Sequence, residues 1–167
     1  ILILSTSNVS AEVQYESMNV PTNVSTYFKT WMDYRCIGIS TPQRNLLRRD
    51  YVYIDCWGFF RAFGEEDLGI TDDYYVIALG SYYGTQLGTK YRITTDTGRV
   101  FYGILGDCKS DRHTNSTHQY TIRNNDVIEF IVDKNTLHPD VKRMGSANVF
   151  MPLNGNIAKI ERINFIY

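Results

Sequence analysis

Apolar and polar residues are spaced very differently in the two halves of this chain. From Tyr74 onward they fall into short β-type runs. Tyr74 to Leu79 is a continuous apolar strand, Lys90 to Thr95 and Arg99 to Leu105 are strands joined through Asp96-Thr97-Gly98, and Val127 to Val132 is a β-branched run carrying one acid, Glu129. Residues 147–151 and 157–166 read as two closing strands, the second placing Ile157, Ile160 and Ile163 among Lys159 and Arg162. Gly80 to Gly84 is a glycine-bounded turn, Asp107 to Asn125 a long polar loop, and Pro139 to Gly145 a loop or short helix.

The first half is less regular. Residues 5–24 are rich in Ser, Thr, Asn and Val and read as an arm with at most one short strand. Ser25 can cap a helix running to Arg35, with Phe28, Trp31, Met32 and Arg35 on one face. Such an aromatic stripe reads as core before it reads as a binding surface. Ser40-Thr41-Pro42 opens a second short helix with Leu46 and Leu47 inward, and Tyr51 to Arg61 is a strand or hairpin. Many short strands with little helix between them predict a mainly β fold, a small barrel. Residues 1–24 form the arm and residues 25–167 the barrel with its helical lead-in.

Composition narrows the function classes. At 167 residues the chain can bury about 70% of its unfolded surface, so a core needs no disulfide or metal. With 17 basic and 18 acidic residues it lacks the basic stripe of a general nucleic-acid binder, and its one basic cluster, Arg44 to Arg49, reads as a solvated helix face. No run of about 20 apolar residues is present to span a membrane. Cys36, Cys56 and Cys108 fit no zinc spacing; a Cys36–Cys56 disulfide in an oxidising setting and three unpaired thiols are both open. The chain opens on Ile1, which reads as a processed or trimmed form, and Ile1 to Leu4 suits the end of a signal segment, a strand or an expression artefact equally. Asn8, Asn23 and Asn115 head glycosylation sequons, which carry weight only in a glycosylating host. The 13 tyrosines suit strands, and also suit a face that stacks on carbohydrate or peptide.

The segment Val76-Ile77-Ala78-Leu79-Gly80, followed by Leu87-Gly88-Thr89-Lys90-Tyr91-Arg92-Ile93, is similar to the strand, loop, Leu-Gly-Thr, strand pattern of the double-psi β-barrel domain. The variant it most resembles is the three-aspartate (3D) domain of bacterial cell-wall proteins, related to membrane-bound lytic transglycosylase A and to similar phage and Gram-positive proteins. The resemblance covers residues 74–133 well and the flanks loosely. It implies a six-stranded double-psi barrel with one or two short N-terminal helices. It also implies cleavage of the β-1,4 bond of peptidoglycan glycan strands without a cofactor, in an extracellular, cell-wall or virion-associated setting.

On that resemblance Asp107, after Gly103-Ile104-Leu105-Gly106, supplies one acid and Glu129 the second. The chain departs from the family pattern in three ways: neither Leu79 nor Gly80 is an acid, the last acid is Glu instead of Asp, and it stands 22 positions after Asp107. A lytic transglycosylase can work through one carboxyl held protonated, which burial or a nearby like charge supplies. Glu129, between apolar Ile128 and Phe130, suits that part, with Asp107 raising its pKa; the plainer role is an ion pair with Lys109 or Arg99. Asp111 and His113 are secondary candidates. With Asp107 they are metal-ligand types, yet an Asp-x-His pair is common in polar loops, and the expectation is no metal. Cys108 carries no peptidase signature around it. Tyr82 and Tyr83 are candidates for stacking on sugar rings or for packing at the barrel end, and Lys109 for meeting a substrate carboxylate. Two other readings stay open: a non-catalytic glycan-binding barrel, and a structural module of a phage tail or cell envelope docking through residues 1–35.

Overall fold

A computed structural model describes residues 11–167. The expectations for Ile1 to Leu4 and the Asn8 sequon lie outside the described residues. Among the described residues, nine strands form one mixed sheet, accompanied by two short helices. In chain order the strands are β1 (Glu12–Met18), β2 (Thr30–Asp33), β3 (Val52–Ile54), β4 (Phe60–Ala62), β5 (Tyr74–Leu79), β6 (Lys90–Thr95), β7 (Val100–Cys108), β8 (Glu129–Val132) and β9 (Ile157–Ile166). The helices are α1 (Pro42–Leu46) and α2 (Pro139–Met144). The main path of the sheet is β1-β9-β6-β7-β5-β4-β3, with β8 on β5 and β2 on β8. Among the described residues no pairing joins the end strands β1 and β3 of this path.

Strand β5 is the hub. One edge pairs in parallel with β7; the other pairs with β4 at Tyr74 and Tyr75 and with β8 at Ile77 and Ala78. All six of its residues are buried, which explains why it reads as an unbroken apolar run and not as an alternation. Its side chains feed two cores on opposite faces. Tyr75, Ile77 and Leu79 join Phe59, Phe101, Leu105 and Phe130 on one face. Tyr74 and Val76 join Ile37, Leu47, Ile104 and Ile131 on the other. Edge-to-face packing of Phe59, Tyr75 and Phe130, with ring centroids 5.5–5.7 Å apart, fixes the first core.

The helix expected from Ser25 to Arg35 does not form. Residues 30–33 are extended and pair in parallel with β8, followed by a 3-10 turn at Tyr34–Cys36. Trp31 and Met32, expected on one face, go to opposite cores. The physical reason is tertiary. A short segment rich in Thr, Tyr, Phe and Trp has little helical preference of its own, and a ladder with β8 buries both of its faces. Residues 147–151 are likewise not a strand. They form two 3-10 turns, Ala147–Val149 and Met151–Leu153, the second containing Pro152, which has no N–H for a ladder. In the region read as an arm, residues 12–18 make β1, in register along β9. Cys36, Cys56 and Cys108 all carry free thiols, so the open disulfide alternative is not formed.

Lys29 ties the start of β2 to the far loop. Its ammonium is fully buried and donates to the carbonyls of Tyr27 and Gly155 and to Asn148 Oδ1 at 2.7 Å. Burial pulls its pKa down to about 8, against the attraction of Asp96 and Asp126.

The register between β5 and β7 slips by one residue after Ile77, so that Ala78 stands opposite Asp107 and Gly106 is passed over. A Cβ on Gly106 would run into the Val76 side chain. Gly106→Ala is therefore expected to lose about 2 kcal/mol by overpacking. Denaturant unfolding of the two proteins checks this, and an unchanged midpoint contradicts it.

Candidate functional site

The bulge at Gly106 decides where Asp107 stands. With it, Asp107 pairs with Ala78, Ala78 pairs with Glu129 across the β5–β8 ladder, and Glu129 pairs with Thr30 across β8–β2. Directly paired residues in a sheet project to the same face. Asp107, Ala78, Glu129 and Thr30 thus form one row across four strands. The two acids are two strand spacings apart at the backbone, about 10 Å, and the residue between them is a buried alanine with only a methyl group.

A third acid completes the cluster. Asp126, in the loop leading into β8, is 1% exposed. Its Oδ1 accepts from the Thr30 N–H at 3.1 Å, and its Oδ2 accepts from the Thr30 hydroxyl and from the Lys109 ammonium at 2.8 Å. Lys109 is itself nearly buried and also donates to Thr121 Oγ1 at 3.1 Å. Burial pushes the Asp126 carboxyl above its usual value and Lys109 opposes this. With three donors on its oxygens, the carboxylate is the form the geometry accommodates.

The Thr30 hydroxyl also lies 3.1 Å from Glu129 Oε2. A hydroxyl carries one hydrogen. If that hydrogen goes to Asp126, the contact with Glu129 is a hydrogen bond only when Glu129 holds a proton and donates it to Thr30 Oγ1. Electrostatics agree: burial raises the Glu129 carboxyl most, Lys109 pulls it back, Asp126 and Asp107 push it up, and the Thr30 contact lowers it. Asp107 is also raised, chiefly by burial, against hydrogen bonds from the Cys108 N–H at 2.9 Å and from Gln43 Nε2 of α1, and against the Lys109 charge.

A pocket of about 550 Å³ opens over Glu129 and Asp126, with Arg112, His113, Ile122 and Arg123 also lining it. Asp107 does not line this pocket and meets α1 instead. A larger groove of about 820 Å³ runs past Tyr82, Lys90, Arg162 and Phe165. None of the three clustered acids lines it, so the smaller pocket is the better place for chemistry.

The remaining sequence candidates scatter. Asp111 is exposed, accepts from Ser81 Oγ at 2.6 Å and faces His118 Nδ1 at 3.6 Å. His113 lines the pocket, close to Ile122, whose N–H donates to the His113 carbonyl at 3.0 Å. Tyr82 is partly exposed on the larger groove, while Tyr83 is fully buried and donates to the Asn19 carbonyl, so Tyr83 has no ring face for a sugar. The Lys109 ammonium is engaged internally by Asp126 and is not offered to solvent. Among the described residues no three His, Cys, Asp or Glu side chains are grouped to hold a metal ion, and no helix is long and apolar enough to cross a membrane.

Thr30, Asp126 and Gln43 escape a reading of the sequence. Thr30 and Gln43 are ordinary polar residues whose roles depend on partners 96 and 64 positions away. Asp126 did leave a signal: an acid directly before the apolar run Val127-Ile128. Comparison with protein-family models, curated proteins and solved structures finds no match.

Two stability measurements probe the cluster. The fold raises the Glu129 carboxyl, so its ionised form opposes folding. That penalty is complete above the raised value and is absent once the pH falls below the ordinary carboxylate range. Glu129→Gln is expected to gain about 1 kcal/mol of stability at neutral pH and nothing near pH 3. Thermal unfolding at the two pH values reads this directly; a loss at neutral pH refutes it. Asp126→Asn leaves the Lys109 ammonium buried without a counter-charge and is expected to cost about 3–5 kcal/mol, measured by denaturant unfolding.

Proposed function

We propose that this protein cleaves the β-1,4 glycosidic bond of peptidoglycan by the lytic transglycosylase reaction, with Glu129 as the acid and base. The observation that carries the reading is the single Thr30 hydroxyl held between Asp126 and Glu129, an arrangement satisfied when Glu129 is the protonated partner. A neutral carboxyl at the edge of an accessible pocket is what the first step needs.

In this reaction the Glu129 proton passes to the glycosidic oxygen as the bond to the anomeric carbon breaks. The glycan's own C6 hydroxyl attacks that carbon, its proton returns to Glu129, and an anhydro sugar results. Water is not consumed and Glu129 ends in its starting state. Asp107 lies on the same row across Ala78 but outside the pocket, and its charge acts through Glu129 by favouring the proton there. Thr30 and Asp126 position Glu129 without touching the substrate. Lys109 pairs with Asp126, whose charge favours the proton on Glu129, although the Lys109 charge itself opposes it.

The finer fold assignment belongs to the same proposal: a six-stranded double-psi barrel embedded in the nine strands. Its support is the pair of parallel contacts, β5 with β7 and β2 with β8, made between strands distant in sequence. The glycan strands of a bacterial cell wall are then the partner, and an extracellular, wall-associated or virion-associated site of action follows from where that substrate is found.

Incubation with purified sacculi, followed by mass spectrometry, tests the reaction. Wild type is expected to release anhydromuropeptides. Glu129→Gln is expected to lower the rate at least 1000-fold, and Asp107→Asn no more than about tenfold, through a lower Glu129 pKa. Thr30→Val is expected to shift the pH profile while leaving Glu129 in place. If wild type pellets with sacculi and releases no anhydro product, the barrel is a glycan-binding or envelope module and the enzyme assignment is wrong.

A further inference from the structure

Two guanidinium groups at the pocket have no role in the reaction just described. Arg112 sits in the 3-10 turn Asp111–His113, and Arg123 in the turn that follows Thr121. The loop carrying them is braced internally. Thr114 and Thr121 form a β-bridge, the Ile122 N–H donates to the His113 carbonyl at 3.0 Å, the Thr121 N–H donates to the Asp126 carbonyl at 2.9 Å, and Asn115 Oδ1 accepts from the Gln119 and Tyr120 N–H groups. Both arginines are therefore presented from a fixed loop. Both are exposed, and among the described residues neither makes an ion pair or a side-chain hydrogen bond. Residues 1–10 contain no acidic side chain that could pair with them.

By contrast Arg35, Arg61, Arg92, Arg143 and Arg162 each hold a carboxylate. Arg112 and Arg123 also line a pocket whose acids are already provided for. Asp126 has Lys109 and Thr30 as partners, and Glu129 has Thr30. Two planar, permanently charged forks with five donors each, unpaired at the mouth of a pocket, suit an incoming oxyanion.

We propose that Arg112 and Arg123 form an anion-recognition rim that makes the pocket select glycan strands bearing a carboxylate or phosphate substituent over neutral glycans. The inference rests on the reading of this pocket as a glycan site. It adds the substrate class and names its specificity-determining residues. The carboxylate has its source in the peptide stems or the lactyl ether of the wall glycan, the phosphate in polymers attached to it. Either would approach the arginines while the sugar ring lies over Glu129, so the charge is read on the substituent and the bond is cleaved beside it.

The test measures binding, separately from turnover, in the full chain carrying Glu129→Gln. The probes are chitohexaose, which is neutral, soluble wall glycan fragments with intact stems, the same fragments with stems removed by an amidase, and fragments freed of phosphate polymers by hydrofluoric acid. The Glu129→Gln protein is expected to bind at least one acidic probe at least tenfold more tightly than chitohexaose. Adding Arg112→Ala and Arg123→Ala is expected to weaken the acidic probes about tenfold and leave chitohexaose unchanged. Lysine at both positions is expected to restore part of the loss. Loss of affinity on stem removal assigns the anion to the peptide carboxylates, and loss after acid treatment assigns it to phosphate; retention after both shows that the rim accepts either the peptide carboxylates or the lactyl carboxylate that the amidase frees. Equal affinity for acidic and neutral probes, an equal loss for both in the double variant, or no binding of any probe overturns the proposal. Because no step requires cleavage, selective binding here together with no anhydro product from wild type on sacculi would refute the transglycosylase assignment and leave the rim standing.

Discussion

One hydroxyl hydrogen, on Thr30, stands between two carboxyl groups, Asp126 buried and Glu129 half-buried. The rest of the site is arranged around that shortage. Asp126 receives Lys109 and the Thr30 backbone N–H as well, so it keeps its charge. Glu129 has the Thr30 hydroxyl 3.1 Å away. Burial raises the Glu129 carboxyl most; the Asp126 and Asp107 charges add to this, while the Lys109 charge and the Thr30 contact oppose it.

This arrangement is possible because the sheet carries it. β2 lies parallel to β8, β8 antiparallel to β5, and β5 parallel to β7, so four strands from distant parts of the chain present one residue each in a single row. The bulge at Gly106 adds the last member. Without it, a glycine would stand opposite Ala78 and Asp107 would be directed to the other face. Ala78 is part of the design in the same sense, because a larger residue between the acids would fill the space that separates them.

The loop from Lys109 to Asp126 links the interior of the site to its exterior. Its ends supply the buried ion pair, and its middle supplies the exposed Arg112, His113 and Arg123. Backbone hydrogen bonds hold the two parts in fixed relation. The same 18 residues therefore carry both the buried partners of Glu129 and the exposed side chains of the pocket.

Much of the β half was legible in the sequence. Tyr74–Leu79, Lys90–Thr95 and the strand after Asp96-Thr97-Gly98 are set by local patterning, and the structure places them within a few residues of those runs. Asp107 and Glu129 were also legible as acids beside apolar strands. Residues 25–35 and 147–151 were not, because their conformation is decided by what they pack on: the helical spacing of Trp31 and Met32 carries no information about a β8 edge waiting 99 positions later. The sequence by itself determined that this is a mainly β chain with two acids set among buried strands. Only the tertiary structure decided that Thr30, Asp126 and Lys109 join them, because a proton is held in place by distances between atoms, and those distances are created by strand pairing across most of the chain's length.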